Sequence, residues 1–241
     1  MKQKRTAAVV LAAGQGKRMQ SAVAKQFLLL DGEPVVCHAL RAFEESEVET
    51  VVLVTGADEI EYCQKEIVEK FGFKKVMNVV AGGKERYHSV YEGLRALEPA
   101  LESDGIVLIH DGARPMVTGE VIARTIRAAE EYGACVAAMP VKDTIKVADA
   151  EQFAAMTPDR STLWQMQTPQ TFRYGLVYEA YQKLLSDVSY QKGITDDAMV
   201  VETMCSGRVK LVEGSYENIK VTTPEDMLVA EVFLKQRKQN C

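Results

Sequence analysis

The chain has 241 residues, of which 47% are hydrophobic and 26% are charged. This composition is typical of a globular protein and excludes disorder, collagen and coiled coils. The length allows one or two domains of roughly 100–200 residues, and we expect a single domain over residues 1–241. No apolar run approaches the roughly 18 residues that a membrane span requires. The charged start and the short apolar stretch at 7–13 do not resemble a secretory signal, so we expect a cytoplasmic protein.

The cysteines and histidines form no recognisable metal or disulfide pattern. Five cysteines, an odd number, are scattered along the chain without a C-x-x-C pair. This argues against a disulfide framework and against a zinc knuckle, and favours reduced thiols. The three histidines show no metal-ligand spacing either.

Charge is distributed unevenly along the chain, whose formal net charge is −5. The first 30 residues carry six basic side chains and no acid before Asp31. The remainder has 23 basic against 34 acidic side chains, a net of −11. A local positive pole on an acidic body suits a small anionic ligand better than a nucleic acid.

Five continuous apolar runs predict strands that are buried on both faces. They lie at 7–11, 50–55, 76–80, 105–109 and 134–139. The segments between them have helical spacing of apolar residues. Strands that alternate with helices in this way predict a three-layer α/β/α fold with a mostly parallel, Rossmann-like sheet.

The alternation of strands and helices breaks after Pro140. Residues 141–172 consist of short polar segments with an alternating pattern and contain no helix of useful length. This pattern predicts a β-arm that protrudes from the sheet. An excursion of this length without its own core is usually functional or serves assembly. Helical spacing resumes at Leu176, late strands are expected at 209–212 and 219–221, and Pro224 opens the last helix.

A glycine-containing loop at 11–19 follows the first predicted strand. Glycines at the carboxyl end of a buried strand let backbone N–H groups approach a phosphate. A dinucleotide-binding fingerprint would need glycine where Met19 stands, and a Walker A loop would need Ser or Thr where Arg18 follows Lys17. Arg18 and, seven residues later, Lys25 are the kinds of side chain that bind a triphosphate. A surface turn with solvated bases is the alternative.

The loop 11–19 with Lys25-Gln26-Phe27 resembles the nucleotidyltransferases with a glycosyltransferase-A-like fold. Later motifs narrow the resemblance to the family of 2-C-methyl-D-erythritol 4-phosphate cytidylyltransferases. These motifs lie, in chain order, at 82–86, 89–90, 110–115, 140–144, 159–160, 168–170, 194–197, 218–222 and 224–226. The resemblance therefore covers nearly the whole chain.

The resemblance implies a reaction in which a phosphate oxygen of the polyol substrate attacks the α-phosphorus of CTP and pyrophosphate leaves. A phosphate monoester has a second pKa of about 6 and is mostly dianionic at neutral pH, so no general base is needed. Arg, Lys and Mg²⁺ then stabilise charge at the transferring group.

The resemblance also implies roles for individual residues. Arg18 and Lys25 would stabilise the transition state, while Arg160 and Lys220 would hold the phosphate of the incoming substrate. The implied nucleotide-binding residues are Ala12, Ala13, Gly14, Gly16, Gly83 and Ser89. The implied polyol-binding residues are Asp111, Arg114, Thr144, Thr168 and Thr195. Mg²⁺ would be held mainly by CTP phosphates and water, with Asp111 as the candidate protein ligand.

The family resemblance further implies a homodimer in which the arm at 141–172 places Arg160 and Thr168 in the neighbour's site. The chain departs from some family members at Lys84, where they carry Asp. Contacts to the base are therefore expected from the backbone there.

Two alternatives remain beside this interpretation. One is a cytidylyltransferase for ribitol 5-phosphate, whose first loop tends to carry glycine where this chain has Ala13. The other is an inactive nucleotide-binding regulatory protein. The presence of all four cationic side chains expected for the reaction argues against it. Met19 already disfavours a dinucleotide-dependent dehydrogenase.

Overall fold

The computed structural model describes residues 5–14, 19 and 23–239. The strands of this part of the chain are β1 (Thr6–Leu11), β2 (Leu29–Leu30), β3 (Glu33–Pro34), β4 (Thr50–Thr55), β5 (Val76–Ala81), β6 (Ile106–Asp111), β7 (Ala134–Pro140), β8 (Val147–Ala148), β9 (Ala154–Met156), β10 (Trp164–Arg173) and β11 (Lys210–Glu213). The helices are α1 (Val35–Glu44), α2 (Ile60–Tyr62), α3 (Arg86–Leu97), α4 (Gly119–Tyr132), α5 (Tyr174–Ser186), α6 (Asp197–Cys205) and α7 (Pro224–Gln239). A 3-10 turn, Ala57–Glu59, precedes α2 and a π-helix, Cys63–Glu69, continues it.

The main sheet has seven strands in the order β11-β7-β10-β6-β1-β4-β5. Strand β1 is parallel to β4 and β6, β5 is parallel to β4, and β11 is parallel to β7. Strand β10 alone among these seven runs antiparallel to its neighbours, β6 and β7. The predicted three-layer fold with a mostly parallel sheet is therefore confirmed.

Strand β1 shows why the predicted strands are continuous apolar runs. Ala8 and Val10 belong to a core cluster with α1 and α4, whereas Val9 packs in a second cluster with α3 and α5. Successive side chains of a strand point to opposite faces. Helices on both faces therefore bury β1 from Thr6 to Val10, which leaves no place for alternating polar residues.

The predicted arm is shorter in the structure than in the sequence interpretation. Residues 164–173 form β10 inside the main sheet, with an irregularity between Met166 and Gln170. The projecting part runs over 141–163 and contains the exposed hairpin of β8 and β9. The boundary was misplaced because β10 buries polar side chains. These are Gln167, Thr168, Gln170 and Thr171.

Two elements near the carboxyl end also differ from the expectation. Residues 219–221 lie in a loop instead of a strand. Helix α6 is a further difference: its buried residues have helical spacing, but the helix has nine residues and its buried face begins with the acid Asp197, so the sequence analysis did not predict it. Helix α7 packs through Ala230 against Leu30 of β2 and Val35 of α1. No helix within residues 5–14, 19 and 23–239 combines the length and apolar character needed to cross a bilayer.

Candidate active site

A cavity of about 560 Å³ opens at the carboxyl edge of the sheet, where β1 and β6 end. This is the edge at which open parallel sheets bind their ligands. Its described lining residues are Leu11, Ala13, Gly14, Lys25, Gln26, Gly83, Lys84, Glu85, Arg86, Ser89, Asp111, Ala113 and Lys220.

One wall of the cavity is backbone from the loops after β1 and β5. A Cβ atom on Gly82 would lie 2.7 Å from Ala13 Cβ and 2.6 Å from Ser89 Oγ, so only glycine allows the two loops to come this close. Ser89 Oγ accepts a 3.1 Å hydrogen bond from the Gly83 N–H. Ala12 is buried, and its N–H donates to Val54 O at 2.6 Å. Ala12 thus anchors the loop, while its neighbour Ala13 faces the cavity.

Two lysines from distant parts of the chain also line the cavity. Lys25 lies in a 3-10 turn and its Nζ donates to the backbone carbonyl of Val221 at 2.9 Å. Lys220, the preceding residue, lies in the loop before α7 and places its Nζ 2.8 Å from Asp111 Oδ2. The convergence of Lys25 and Lys220 concentrates positive charge beside the glycine wall, as the binding of phosphate groups requires.

Asp111 ends β6 and is 8% exposed. Its Oδ1 faces Arg86 Nε at 3.5 Å, and its Oδ2 faces Lys220 Nζ at 2.8 Å and Arg114 Nε at 3.6 Å. Burial alone would raise the pKa of the carboxyl, but these three cations hold the pKa of Asp111 well below its ordinary value. Asp111 is therefore a carboxylate whose charge is compensated on both oxygens.

A chain of hydrogen bonds fixes the backbone at Asp111 from behind. Thr168 Oγ1 accepts from the Asp111 N–H at 3.1 Å and lies 3.0 Å from His110 Nδ1. His110 Nε2 lies 3.2 Å from Arg114 O, a carbonyl that can only accept, so the Nε2 atom carries the proton. Burial lowers the pKa of His110 to about 4, which keeps the ring neutral.

Thr168 corrects one expectation from the sequence. Its side chain was predicted to reach a neighbouring subunit's site, but it is buried in its own sheet beside Asp111 and His110. The reason is that residue 168 belongs to β10 and not to the arm. Its hydroxyl positions Asp111 within the same subunit.

Arg86 and Asp197 form a buried ion pair on the other side of Asp111. Arg86 begins α3 and Asp197 begins α6, so the pair bridges two helices. Arg86 Nη1 and Nη2 donate to Asp197 Oδ1 and Oδ2 at 2.6 and 2.7 Å, in the two-pronged geometry that the guanidinium favours. Tyr181 from α5 donates a further hydrogen bond to Asp197 Oδ1 at 2.5 Å.

The cavity brings together part of the predicted site. The predicted residues that line it are Ala13, Gly14, Lys25, Gly83, Ser89, Asp111 and Lys220. Arg114 lies directly behind, where Nη1 donates to Asn218 O at 2.8 Å. Thr195, Thr144 and Arg160 are exposed and outside the cavity lining, the last two on the arm. Arg18 and Gly16 lie outside the residues that the structure describes.

Sequence reasoning missed Arg86 and Asp197 as functional candidates. Both stand in motifs that the sequence displays, at 82–86 and 194–197, but 111 positions separate them. Nothing in the local pattern of either motif indicates that the two side chains meet. Asn218 was also missed, although it stands two residues before Lys220 and donates to Thr168 O at 2.8 Å.

The mostly parallel sheet, with a glycine-walled and lysine-rich cavity at its carboxyl edge, is the arrangement of a nucleotidyltransferase. A family model described as IspD, 2-C-methyl-D-erythritol 4-phosphate cytidylyltransferase, matches residues 6–236. The chain belongs to this family and is an enzyme of the cytidylyltransferase class.

Individual relatives agree with the family model. A protein of Alkaliphilus oremlandii (strain OhILAs) named 2-C-methyl-D-erythritol 4-phosphate cytidylyltransferase is 47% identical over 236 residues, which cover 98% of this chain and 97% of the relative. One of the same name from Lachnospira eligens is 49% identical over 229 residues, 95% of this chain and 98% of the relative.

A solved structure agrees as well. The crystal structure of 4-diphosphocytidyl-2C-methyl-D-erythritol synthase from Anaerococcus prevotii DSM 20548 superposes with a TM-score of 0.82 at 34% identity, covering 96% of this chain and 99% of that one. None of these three names supports the ribitol 5-phosphate or the inactive-protein alternative.

Proposed function

We propose that the enzyme transfers CMP from CTP to 2-C-methyl-D-erythritol 4-phosphate, and thereby makes 4-diphosphocytidyl-2-C-methyl-D-erythritol and pyrophosphate. An oxygen of the polyol phosphate forms a bond to the α-phosphorus of CTP. The bond from the α-phosphorus to the bridging oxygen of the β-phosphate breaks, and pyrophosphate takes the electron pair. Family membership and the named relatives support the choice of substrates.

The observation that carries this proposal is that Lys25 and Lys220 line the same cavity as the glycine wall. Two polyanions must approach each other in this reaction, so cations at fixed positions provide most of the catalysis. In the proposed roles, Lys25 binds the triphosphate and stabilises the transition state, and Lys220 holds the polyol phosphate. Gly83 and Ser89 would face the cytosine, with Ala13 and Gly14 beside the triphosphate.

The same arrangement does not require a general base. The attacking phosphate is already dianionic at neutral pH. His110, which precedes Asp111 in β6, is neutral and has both ring nitrogens engaged by Thr168 and Arg114. Asp111 is compensated by three cations and is proposed to bind hydroxyl groups of the polyol, with Arg114 holding it in place.

Mg²⁺ is proposed to enter as part of the nucleotide substrate. Within the described ranges, no three His, Cys, Asp or Glu side chains are grouped so that they could hold a metal ion. The carboxylates that line the cavity there are Glu85 and Asp111, and the latter already faces cations. This donor set suits a metal held mainly by phosphate oxygens and water, to which Asp111 could add one ligand. When bound, Mg²⁺ supplies further neutralisation of phosphate charge.

We further propose a homodimer in which the arm carries Arg160 and Thr144 to the partner's cavity. The arm exposes large apolar side chains, Ile145, Val147, Phe153 and Met156, which a solvated hairpin does not need. Arg160 is exposed, with Nη1 hydrogen-bonded to Lys142 O at 3.0 Å and the rest of the guanidinium available. The proposed compartment is the cytoplasm, where the thiols of Cys37, Cys63 and Cys135 would stay reduced.

The test is an assay of pyrophosphate release with CTP and Mg²⁺, run separately with 2-C-methyl-D-erythritol 4-phosphate and with ribitol 5-phosphate. We expect turnover with the first substrate and a product that mass spectrometry identifies as its CMP adduct. Turnover with ribitol 5-phosphate alone would overturn the substrate assignment, and no turnover with either would overturn the proposed reaction. Lys220→Ala should raise the KM for the polyol phosphate, whereas Lys210→Ala, at an exposed lysine of β11, should not.

A further inference from the structure

Asp197 is buried more completely than any role at a surface would require. It is 0% exposed, begins α6 and lies behind Arg86 as seen from the cavity. Its two oxygens accept two hydrogen bonds from Arg86 and one from Tyr181. A buried carboxylate lowers stability unless it is paired. An apolar residue at this position could be buried without the desolvation penalty of a charge. The pair therefore calls for an explanation beyond stability.

The geometry of Arg86 supplies that explanation. The guanidinium has one end, Nη1 and Nη2, held by Asp197, and its third nitrogen, Nε, lies 3.5 Å from Asp111 Oδ1. Asp197 therefore holds the Arg86 guanidinium, and Nε of this guanidinium points towards Asp111. Asp111 Oδ2 is shared between Lys220 and Arg114, so among the residues that the structure describes Arg86 is the cation that faces Oδ1.

We infer that Asp197 is a positioning residue, which acts through Arg86 to fix the orientation of the Asp111 carboxylate for binding the polyol substrate. This inference rests on the proposed function. Lys220 Nζ contacts Asp111 Oδ2 at 2.8 Å, so in the proposed complex it shares its three N–H donors between this carboxylate and the substrate phosphate. When Lys220 turns to the phosphate, Arg86 remains in place because Asp197 holds it. Asp111 then keeps a compensated charge and a fixed direction.

The first experiment compares Asp197→Asn with the double variant Arg86→Gln/Asp197→Asn. The single variant leaves the Arg86 charge poorly compensated and should unfold more easily, while the double variant removes both charges and should recover stability. Both variants should nevertheless raise the KM for the polyol phosphate about tenfold, because Asp111 has lost its support. The KM for CTP should change by less than about twofold. A purely structural role predicts instead that the double variant recovers the wild-type KM.

The second experiment repeats Asp197→Asn in an Asp111→Asn background. If Asp197 acts through Asp111, the substitution should raise the KM for the polyol phosphate no further there, because interacting residues are not additive. An equal tenfold rise in both backgrounds would overturn the inference.

A crystal structure of Asp197→Asn provides a readout that does not depend on turnover. We expect Arg86 to leave Asp111 Oδ1 and the carboxylate to rotate. An unchanged contact between Arg86 Nε and Asp111 Oδ1 would contradict the inference, even if the wild-type enzyme proved to act on another substrate. If the wild type showed no turnover, the proposed function would be contradicted. A rotated Asp111 carboxylate in the variant would still support the role of Asp197.

Discussion

Lys25 Nζ donates a 2.9 Å hydrogen bond to the backbone carbonyl of Val221, across 196 positions of the chain. Val221 in turn donates its N–H to Ala113 O at 2.8 Å, two residues beyond Asp111. One residue of the loop before α7 thus joins the turn of Lys25 to the end of β6. The bond also brings the Lys25 ammonium to the residue that directly follows Lys220.

Lys25→Ala should lower kcat by about a hundredfold or more, because it removes one fixed charge that is proposed to stabilise the transition state. Pyrophosphate release at saturating substrates measures this effect. Loss of the hydrogen bond to Val221 O should itself lower the free energy of unfolding by about 1 kcal/mol. Lys235→Ala is the matched control, because Lys235 is exposed on α7 and its Nζ forms a long ion pair of 3.9 Å with Glu231 Oε2. Near-normal turnover of Lys25→Ala would remove this residue from the catalytic group.

The sequence predicted the layers of the fold because each buried strand leaves a direct trace. A strand covered by helices on both faces is apolar along most of its length, as β1 is after Thr6 and as β4 is between Thr50 and Thr55. Strand β10 leaves no such trace, because Gln167, Thr168 and Gln170 are buried through hydrogen bonds. Its polar pattern was therefore assigned to the arm.

The candidate site was predictable to the extent that its residues stand in contiguous motifs. The glycine wall and Asp111 follow predicted strands, so their meeting at one edge follows from the topology. The pairing of Arg86 with Asp197 does not, since it depends on how α3 and α6 pack. Side-chain partnerships between helices on one face of a sheet require coordinates.

His110 makes stability depend on pH in a defined window. Burial lowers its pKa in the folded protein to about 4, against about 6.5 in an unfolded chain. Between these values the unfolded state binds the proton and the folded state does not, so the free energy of unfolding falls as pH decreases from about 6.5 to 4. Across this window His110 changes the free energy of unfolding by about 3 kcal/mol in total. Below about pH 4 His110 contributes no further change.

Urea unfolding at several pH values checks this prediction. His110→Gln should lower stability at pH 7, because the contacts with Thr168 and Arg114 change, but should flatten the slope between pH 6.5 and 4. Arg86, Lys220 and Arg114 hold the pKa of Asp111 low in spite of its burial. The stabilisation that its carboxylate provides is therefore lost at lower pH, outside the range in which His110 titrates. An identical slope in the wild type and the variant would contradict the assignment.

Gly93 is needed where α3 crosses the sheet. A Cβ atom there would meet Val9 side-chain atoms and lie 3.0 Å from Val54 Cγ2. Alanine gains about 1 kcal/mol in helix propensity, but overpacking typically costs about 1–3 kcal/mol. We therefore expect Gly93→Ala to lower the free energy of unfolding by up to about 2 kcal/mol. Gly119→Ala, with no atom within 4 Å of the added Cβ, should cause no loss, and an equal effect of both would refute the packing argument.

The exposed apolar side chains of the arm predict that association depends on it. Phe153→Asp places a charge at a side chain that is 68% exposed in the single chain, so the fold should remain intact while the proposed dimer weakens. Analytical ultracentrifugation should show a shift towards monomer. Val188→Asp is the matched control, because Val188 is equally exposed but lies between α5 and α6, away from the arm. A dimer that is unaffected by Phe153→Asp would place the interface elsewhere.

Mixing two inactive variants distinguishes whether Arg160 acts in its own subunit or in its partner. If Arg160 serves the partner's cavity, a heterodimer of Lys25→Ala and Arg160→Ala contains one site with an intact Lys25 and an intact Arg160. Random reassortment of the two variants should then restore about a quarter of the wild-type activity, since half of the dimers are mixed and each has one complete site. If Arg160 acts within its own subunit, every site in the mixture lacks one cation and activity stays at the level of the separate variants. The exposed position of Arg160 outside its own cavity lining favours the first result.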